Sequence, residues 1–248
     1  MGFMKELGIL ANLRHPHIIS VYGAVTEDVT CVQMVMEFAE HGDLRVWLDN
    51  PLTEALSHHC QLDLCLQMSL GMEYLHSKQV AHRDFKSKNV LMCSGSRGKL
   101  VCKISDFGIS VEETGFTATM GGPTRAENVI GTPNYSSPEV LQAAGGSDSN
   151  VNYFFSDKYS FGVVIWEVAA RQKPWVGYTI MQILNVVGNQ NKTLVMPLDS
   201  SATMLSLFTA CCNAKPADRP SFNKISAILT EEVEKIEANL PEPLDIYI

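Results

Sequence analysis

Eight residues, His82-Arg83-Asp84-Phe85-Lys86-Ser87-Lys88-Asn89, constrain this chain more than any other stretch. They crowd a carboxylate, several cations and a carboxamide between an apolar pair, Val80-Ala81, and an apolar run, Val90-Leu91-Met92-Cys93. Two buried anchors that close together push the polar side chains between them into one shared space. That is the pattern of an active-site loop.

The residue types suit phosphoryl transfer to a hydroxyl. Asp84 can accept the hydroxyl proton, Lys86 can neutralise charge on the moving phosphoryl group, and Asn89 offers an oxygen to a hard cation such as Mg²⁺. A second metal ligand, Asp106 of Asp106-Phe107-Gly108, follows the apolar run Leu100-Val101-Cys102-Lys103-Ile104. The two stretches resemble the catalytic loop and the metal-binding triplet of the eukaryotic protein kinases. In this order, separated by two short strands and a Gly-rich hairpin over Ser94-Gly95-Ser96-Arg97-Gly98, the pair is strongly specific.

With 248 residues the chain can form one large domain or two small lobes around a sizeable core. A net charge of -8 argues against a nucleic-acid binder working through a broad basic face. The 7 cysteines form no Cys-x-x-Cys pair, which disfavours a disulfide framework or zinc site and fits a reducing, cytoplasmic setting. No apolar run reaches the roughly 18 residues of a membrane span, so no membrane partner is expected. Met1-Gly2 is not followed by the Ser or Thr at position 6 that myristoylation requires, because that residue is Glu6.

Along the chain, Phe3, Leu7, Leu10 and Leu13 repeat at helical spacing before His15-Pro16, predicting a helix that carries Glu6. Runs 18–25 and 31–38, parted by Thr26-Glu27-Asp28, predict a hairpin. A short helix over Gly42 to Asn50, a longer one over Gln61 to Lys78, an apolar helix opened by Ser156 to Gly162 and a last helix over Ser221 to Ala238 follow. The longer one presents Leu62, Leu66, Met72 and Leu75 on one stripe, and the last one Phe222, Ile225, Ile228, Leu229 and Val233. Residues 106–139 turn to Gly, Thr, Glu and Asn and predict a mobile loop holding Thr114, Thr117, Thr119 and Thr124.

The kinase resemblance assigns these parts. Glu6 takes the place of the helix glutamate that pairs with a phosphate-holding lysine. Met36 would back the adenine pocket, Glu37 and Ala39 would offer backbone groups to the purine edge, Asp43 would meet the ribose, and Leu91 would join the nucleotide contacts. Asp43 also reads as an ordinary helix cap. His82 would pack under Phe107, Arg83 would hold a phosphorylated residue by a bidentate contact, and Asp157 would hold the catalytic loop's backbone. Thr132 would contact both Lys86 and Asp84, and Glu139 would pair with Arg219. Ser137 stands where the family usually has Ala before Pro-Glu.

Lys86 implies a serine/threonine kinase, and Leu13-Arg14-His15-Pro16, Ser160-Phe161-Gly162 and Trp166-Glu167 look most like the tyrosine-kinase-like group. The implied cofactors are ATP and Mg²⁺, and the implied partners a protein with Ser or Thr acceptors and an upstream activating kinase. The resemblance runs the length of the chain yet lacks the glycine loop and the lysine strand. The expected class is therefore α+β, a two-lobe kinase-like fold with a truncated upper lobe of antiparallel strands plus one helix and a mainly helical lower lobe. Residues 1–38 would be the upper-lobe remnant, 39–238 the hinge and lower lobe, and 239–248 a tail. The main expectation is transfer of the ATP γ-phosphoryl group to protein hydroxyls. A catalytically inactive fragment or pseudokinase scaffold is the alternative, and a small-molecule phosphotransferase ranks third because it would not need the stretch from Gly131-Thr132-Pro133 to Ser137-Pro138-Glu139.

Overall fold

Two antiparallel hairpins and a set of helices carry the loop at 82–89 in the computed structural model, which describes residues 12–25, 33–51, 56–95, 99–107, 132–144 and 151–239. The first hairpin pairs β1 (Val21–Val25) with β2 (Gln33–Met36). The second pairs β3 (Val90–Ser94) with β4 (Leu100–Ile104), in a register that sets Val90 against Ile104 and Ser94 against Leu100. A parallel bridge from Ile18 to Ile104 joins the chain before the first hairpin to the second. The predicted strands are recovered, with β1 starting at Val21, three residues into the run 18–25, and β2 ending at Met36, two residues before the end of the run 31–38. The helix predicted over residues 3–13, with Glu6, lies almost wholly outside the described residues. So do the Thr26 to Asp28 turn, Gly108 and the four loop threonines.

The short helix α1 (Leu44–Asp49) starts one residue after Asp43, whose Oδ1 accepts the Val46 N–H at 2.9 Å. Helix α2 (His58–Ser77) begins three residues before the predicted start at Gln61, because Ser57 supplies an N-cap through its bond to the Cys60 N–H at 3.2 Å. Leu62, Met72 and Leu75 are fully buried, whereas Leu66 is only half-buried. Gly71 lets α2 approach the rest of the core: a Cβ there would stand 2.7 Å from the His17 carbonyl oxygen and 2.7 Å from Ile104 Cδ1.

Helix α3 (Pro138–Ala144) leads to α4 (Tyr153–Ala170), buried on nearly every side, as its apolar sequence predicts. Its start lies three residues before Ser156, capped by Asn152, which accepts the Phe154 N–H at 3.1 Å. The one-turn α5 (Ile180–Ile183) runs on into a π-helical stretch over Leu184–Asn189, and α6 (Ala202–Cys211) packs on α4. Periodicity had marked neither. The last helix, α7 (Phe222–Ala238), packs along α2. Its stripe is corrected at one position: Ile228 is 45% exposed, while Phe222, Ile225, Leu229 and Val233 are buried.

The fold is thus two small antiparallel sheets with mostly helical surroundings, as expected for a truncated two-lobe arrangement. Among the described residues no helix is long and apolar enough to cross a membrane. Cys65, Cys93, Cys102, Cys211 and Cys212 are buried free thiols, and Cys60 is an exposed one.

Candidate active site

The loop at 82–89 is held from below by α4. Asp157 lies one turn into it, and its carboxylate accepts the backbone N–H groups of His82 and Arg83 at 2.8 Å each, while His76 on α2 meets Oδ2 at 2.8 Å. These bonds fasten a strained segment, since Arg83 has a φ of 71°. His82 is buried, stacked edge-on against Phe85 at 5.4 Å and Phe107 at 6.3 Å. Burial pushes its imidazole below the ordinary histidine range, with the Asp157 charge opposing.

Above this base, Asp84, Lys86, Asn89 and Thr132 form one cluster. Thr132 Oγ1 donates to Asp84 Oδ1 at 3.1 Å and accepts from Lys86 Nζ at 2.7 Å, and Lys86 also binds Asp84 Oδ2. Asn89 Nδ2 donates to the Asp84 carbonyl at 2.9 Å. About a third of the Asp84 side chain stays open to solvent (36%), against 18% for Lys86. The arrangement leaves an acceptor carboxylate within reach of an incoming hydroxyl, with a cation beside it.

Asp106 comes to the same end of the β3–β4 hairpin, because Asn89 directly precedes β3 and Asp106 follows β4 by two residues. The Asn89 carbonyl accepts Ser105 N–H at 2.8 Å, tying the two strand ends together. Asp106 is exposed with a φ of 54°. The donor set fits a hard cation: Asn89 Nδ2 donates to Asp84, its amide carries an acceptor oxygen as well, and Asp106 supplies an exposed carboxylate. Among the described residues no group of three His, Cys, Asp or Glu side chains could hold a metal. A Mg²⁺ held by one carboxylate and one amide, and otherwise by water and phosphate oxygens, needs no such group.

The residues expected at the nucleotide are assembled by the chain from β2 into α1. Backbone bonds from Met92 N–H to the Gly42 carbonyl at 2.8 Å and from His41 N–H to the Met92 carbonyl at 3.1 Å clip this segment to β3, and a bridge sets Asp43 opposite Leu91. Glu37, Ala39, Asp43 and Leu91 are all half-buried. One Asp43 oxygen is committed to capping α1, so only the other is left for a ligand. Met36 is 38% exposed and Phe38 80% exposed in the same segment.

Arg83 lies 5.1 Å over the Tyr153 ring and lines an open cavity of about 510 Å³ with Ala81, Val151, Asn152, Tyr153 and Phe154. Two contacts had no reading in the sequence. Lys103 Nζ binds both Glu37 oxygens at 2.6 and 2.8 Å. Burial alone would raise the Glu37 carboxyl, but its bonds to Lys103 and Ser20 outweigh that and hold it below the ordinary glutamate value. Glu167, mid-way along an apolar helix, gathers Arg45, Ser87 and Tyr135. A charge flanked by Trp166 and Val168 was the available signal, because a buried carboxylate must find donors.

The family model described as protein tyrosine and serine/threonine kinase matches residues 1–229. The chain is 32% identical over 240 residues to the serine/threonine/tyrosine-protein kinase HT1 of Arabidopsis thaliana, covering 96% of this chain and 57% of that one. It is 32% identical over 231 residues to the serine/threonine-protein kinase CTR1 of the same plant, covering 92% and 26%. It is 33% identical over 241 residues to the mitogen-activated protein kinase kinase kinase 7 of Bos taurus, covering 92% and 37%. The chain therefore spans between about a quarter and somewhat over half the length of these relatives.

Proposed function

The chain belongs to the protein tyrosine and serine/threonine kinase family, among relatives of the tyrosine-kinase-like group, and from that membership we propose that it transfers the γ-phosphoryl group of ATP to serine and threonine hydroxyls of proteins. The observation that carries the reading is the cluster of Asp84, Lys86 and Thr132 around one partly open carboxylate. Asp84 orients the acceptor hydroxyl and takes its proton. Lys86, freed from Asp84 as substrate enters, faces the transferring group. Thr132 keeps both in register and leads directly into the segment that receives the protein substrate.

Asn89 and Asp106 are the residues that hold Mg²⁺, which when bound neutralises charge on the phosphates. Glu37, Ala39, Asp43 and Leu91 form the adenosine side of the site. The same reading gives residues 1–38 to the upper lobe, 39–238 to hinge and lower lobe and 239–248 to a tail. Arg83, poised over its cavity, receives a phosphorylated side chain, which an upstream kinase supplies.

The test is Mg²⁺-dependent ATP binding by calorimetry, paired with phosphorylation of a Ser- and Thr-containing protein. Wild-type chain should bind and transfer, and Asp106→Asn should lose metal-dependent binding while keeping its fold by circular dichroism. Unchanged binding by Asp106→Asn sinks the metal assignment. ATP binding with no transfer favours the scaffold reading instead.

A further inference from the structure

Lys88 is exposed in the catalytic loop, and among the described residues its side chain makes no ion pair. It stands in a one-turn 3-10 helix, Ser87–Asn89, whose other two side chains turn inward. Ser87 Oγ donates to the buried Glu167 at 2.9 Å, and Asn89 Nδ2 donates to the Asp84 carbonyl at 2.9 Å. With three residues to the turn, the side chain between them is directed away from that interior. Lys88 therefore offers an uncompensated charge at the rim of the Asp84 site.

A second cation reaches the site from the chain after α4. Lys173 is 61% exposed and precedes Pro174, whose carbonyl accepts Asn134 Nδ2 at 2.7 Å. Asn134 lies two residues after Thr132, the residue bonded to Asp84 and Lys86. Lys173 is thus tied to the substrate-facing turn, as Lys88 is to the loop. The carboxylates on this side are already spent: Asp49 lies 3.8 Å from Lys173 but takes Arg45 Nη2 at 2.7 Å, and Glu167 takes Arg45 Nη1 at 2.8 Å. Arg171 adds another cation, its guanidinium donating to the Leu48 carbonyl of α1 at 2.9 Å. Positive charge is therefore in local excess beside the acceptor position.

We propose that Lys88 and Lys173 form a specificity site that selects protein substrates carrying Asp or Glu next to the acceptor Ser or Thr. The chain as a whole has a net charge of -8, which repels such a substrate from afar. The local excess acts at close range instead, because charges more than about 8 Å away are largely screened at physiological salt. An exposed charge pair changes affinity by up to about fivefold. Two such pairs are enough to rank substrates.

The inference rests on the phosphotransfer reading of Asp84, and the experiment keeps the two apart. Steady-state kinetics would compare three peptides, identical around one Ser and differing only in flanking Asp, Ala or Arg. Wild type should rank them by kcat/KM as acidic, neutral, basic, with about tenfold between the extremes. Salt at about 1 M, where screening shortens to about 3 Å, should flatten the ranking. Lys88→Glu and Lys173→Glu should each cut the acidic-to-basic ratio about fivefold, and the double variant should invert it. Lys235→Glu is the control for net charge. Lys235 is 59% exposed near the end of α7, where Glu237 meets His59 at the start of α2, the end of that helix remote from the loop. Its reversal should leave the ratio unchanged. All three lysines are exposed, so none of these changes disturbs the core.

Equal kcat/KM for the three peptides, or a ranking that Lys88→Glu and Lys173→Glu leave intact, overturns the inference and leaves the activity standing. A ranking that Lys235→Glu shifts just as far overturns it too, because net charge alone then accounts for it. A wild-type chain that transfers phosphate to no Ser or Thr acceptor overturns the activity and the inference with it.

Discussion

Arg219 grips both carboxylate oxygens of Glu139, at 2.6 and 2.8 Å, across 80 positions of sequence. The guanidinium is wholly buried, and its remaining N–H groups reach the carbonyls of Asn213 at 2.9 Å and Phe155 at 3.0 Å. It thus ties the start of α3 to the first turn of α4 and to the loop before α7. Arg219→Met should cost about 3 kcal/mol, the lower end for breaking a buried pair because Glu139 keeps some solvent contact. Arg219→Lys should recover only part of this, since an ammonium cannot make the paired contact. Urea unfolding of the three proteins checks the order, and equal midpoints for Arg219→Met and wild type would contradict it.

Asp157 stabilises a backbone conformation, that of the catalytic loop at His82 and Arg83. Without its bonds to the His82 and Arg83 amides, the left-handed Arg83 has little to hold it. Asp157→Ala should lower stability by about 2 kcal/mol, the scale of two amides losing a charged acceptor. It should also make those two amides exchange hydrogen faster, out of proportion to the rest of the core. Protection at 82 and 83 that falls only in step with global stability would show that the loop holds its shape unaided.

Three histidines predict how stability follows pH. His15, His17 and His82 all lie below the ordinary imidazole range, in each case first because burial disfavours the charged form. For His15 the neighbouring His17 adds to this and Glu73 opposes it. For His17 the Cys102 carbonyl and Asp63 oppose, and Lys103 and Lys99 assist. The unfolded chain therefore takes up protons before the folded one. Stability is complete above the unfolded histidine pKa of about 6.5 and declines as pH falls below it toward the folded values. Glu167, its pKa raised by burial, acts in the opposite direction. Urea midpoints should thus drop between pH 7 and the onset of carboxylate titration, and a flat profile there would contradict the burial of these rings.

Much of this site was legible because kinase-like motifs keep chemistry contiguous in sequence. Asp84, Lys86 and Asn89 fall within six positions, so one loop suffices to bring them together, and Asp106 follows a strand whose pairing with β3 returns it to the same end. The pairing of Glu139 with Arg219 came from the kinase resemblance, and Asp157 was legible because a charge at the start of an apolar run must find donors. The same logic applied to Glu167 and to Arg45 but was not enough to name their partners, because those come from elements 122 and 80 positions away. Helix α6 keeps helical spacing at Met204, Leu207, Phe208 and Cys211, but the exposed Leu205 widens its apolar stretch and blurs that stripe, and Ile228 was misplaced because the face of α7 that packs on α2 is narrower than its stripe.

The pair formed by Lys103 and Glu37 makes the last prediction, one about nucleotide rather than stability. Lys103 stands opposite Leu91 in the β3–β4 register, and its ammonium takes both oxygens of Glu37, whose own N–H donates to the Ser20 carbonyl at 2.8 Å. The residue proposed to offer its backbone to the purine edge is therefore held by its side chain from β4, opposite Leu91. Removing the grip in Lys103→Met frees the Glu37 backbone to wander and should weaken ATP binding roughly fivefold, about 1 kcal/mol for a partly exposed pair. Lys103→Arg should bind nearly as wild type, because a cation that long still reaches Glu37. Against the opposing effect of burial, the bonds from Lys103 and Ser20 hold the Glu37 carboxyl below the ordinary glutamate value, so the grip is intact at and above that ordinary value and is lost only as pH falls through the lowered folded one. The fivefold difference should accordingly hold at neutral pH and shrink in acid. Calorimetric titration of the three proteins with ATP decides the matter, and identical affinities at neutral pH would mean that Glu37 is positioned by Ser20 alone.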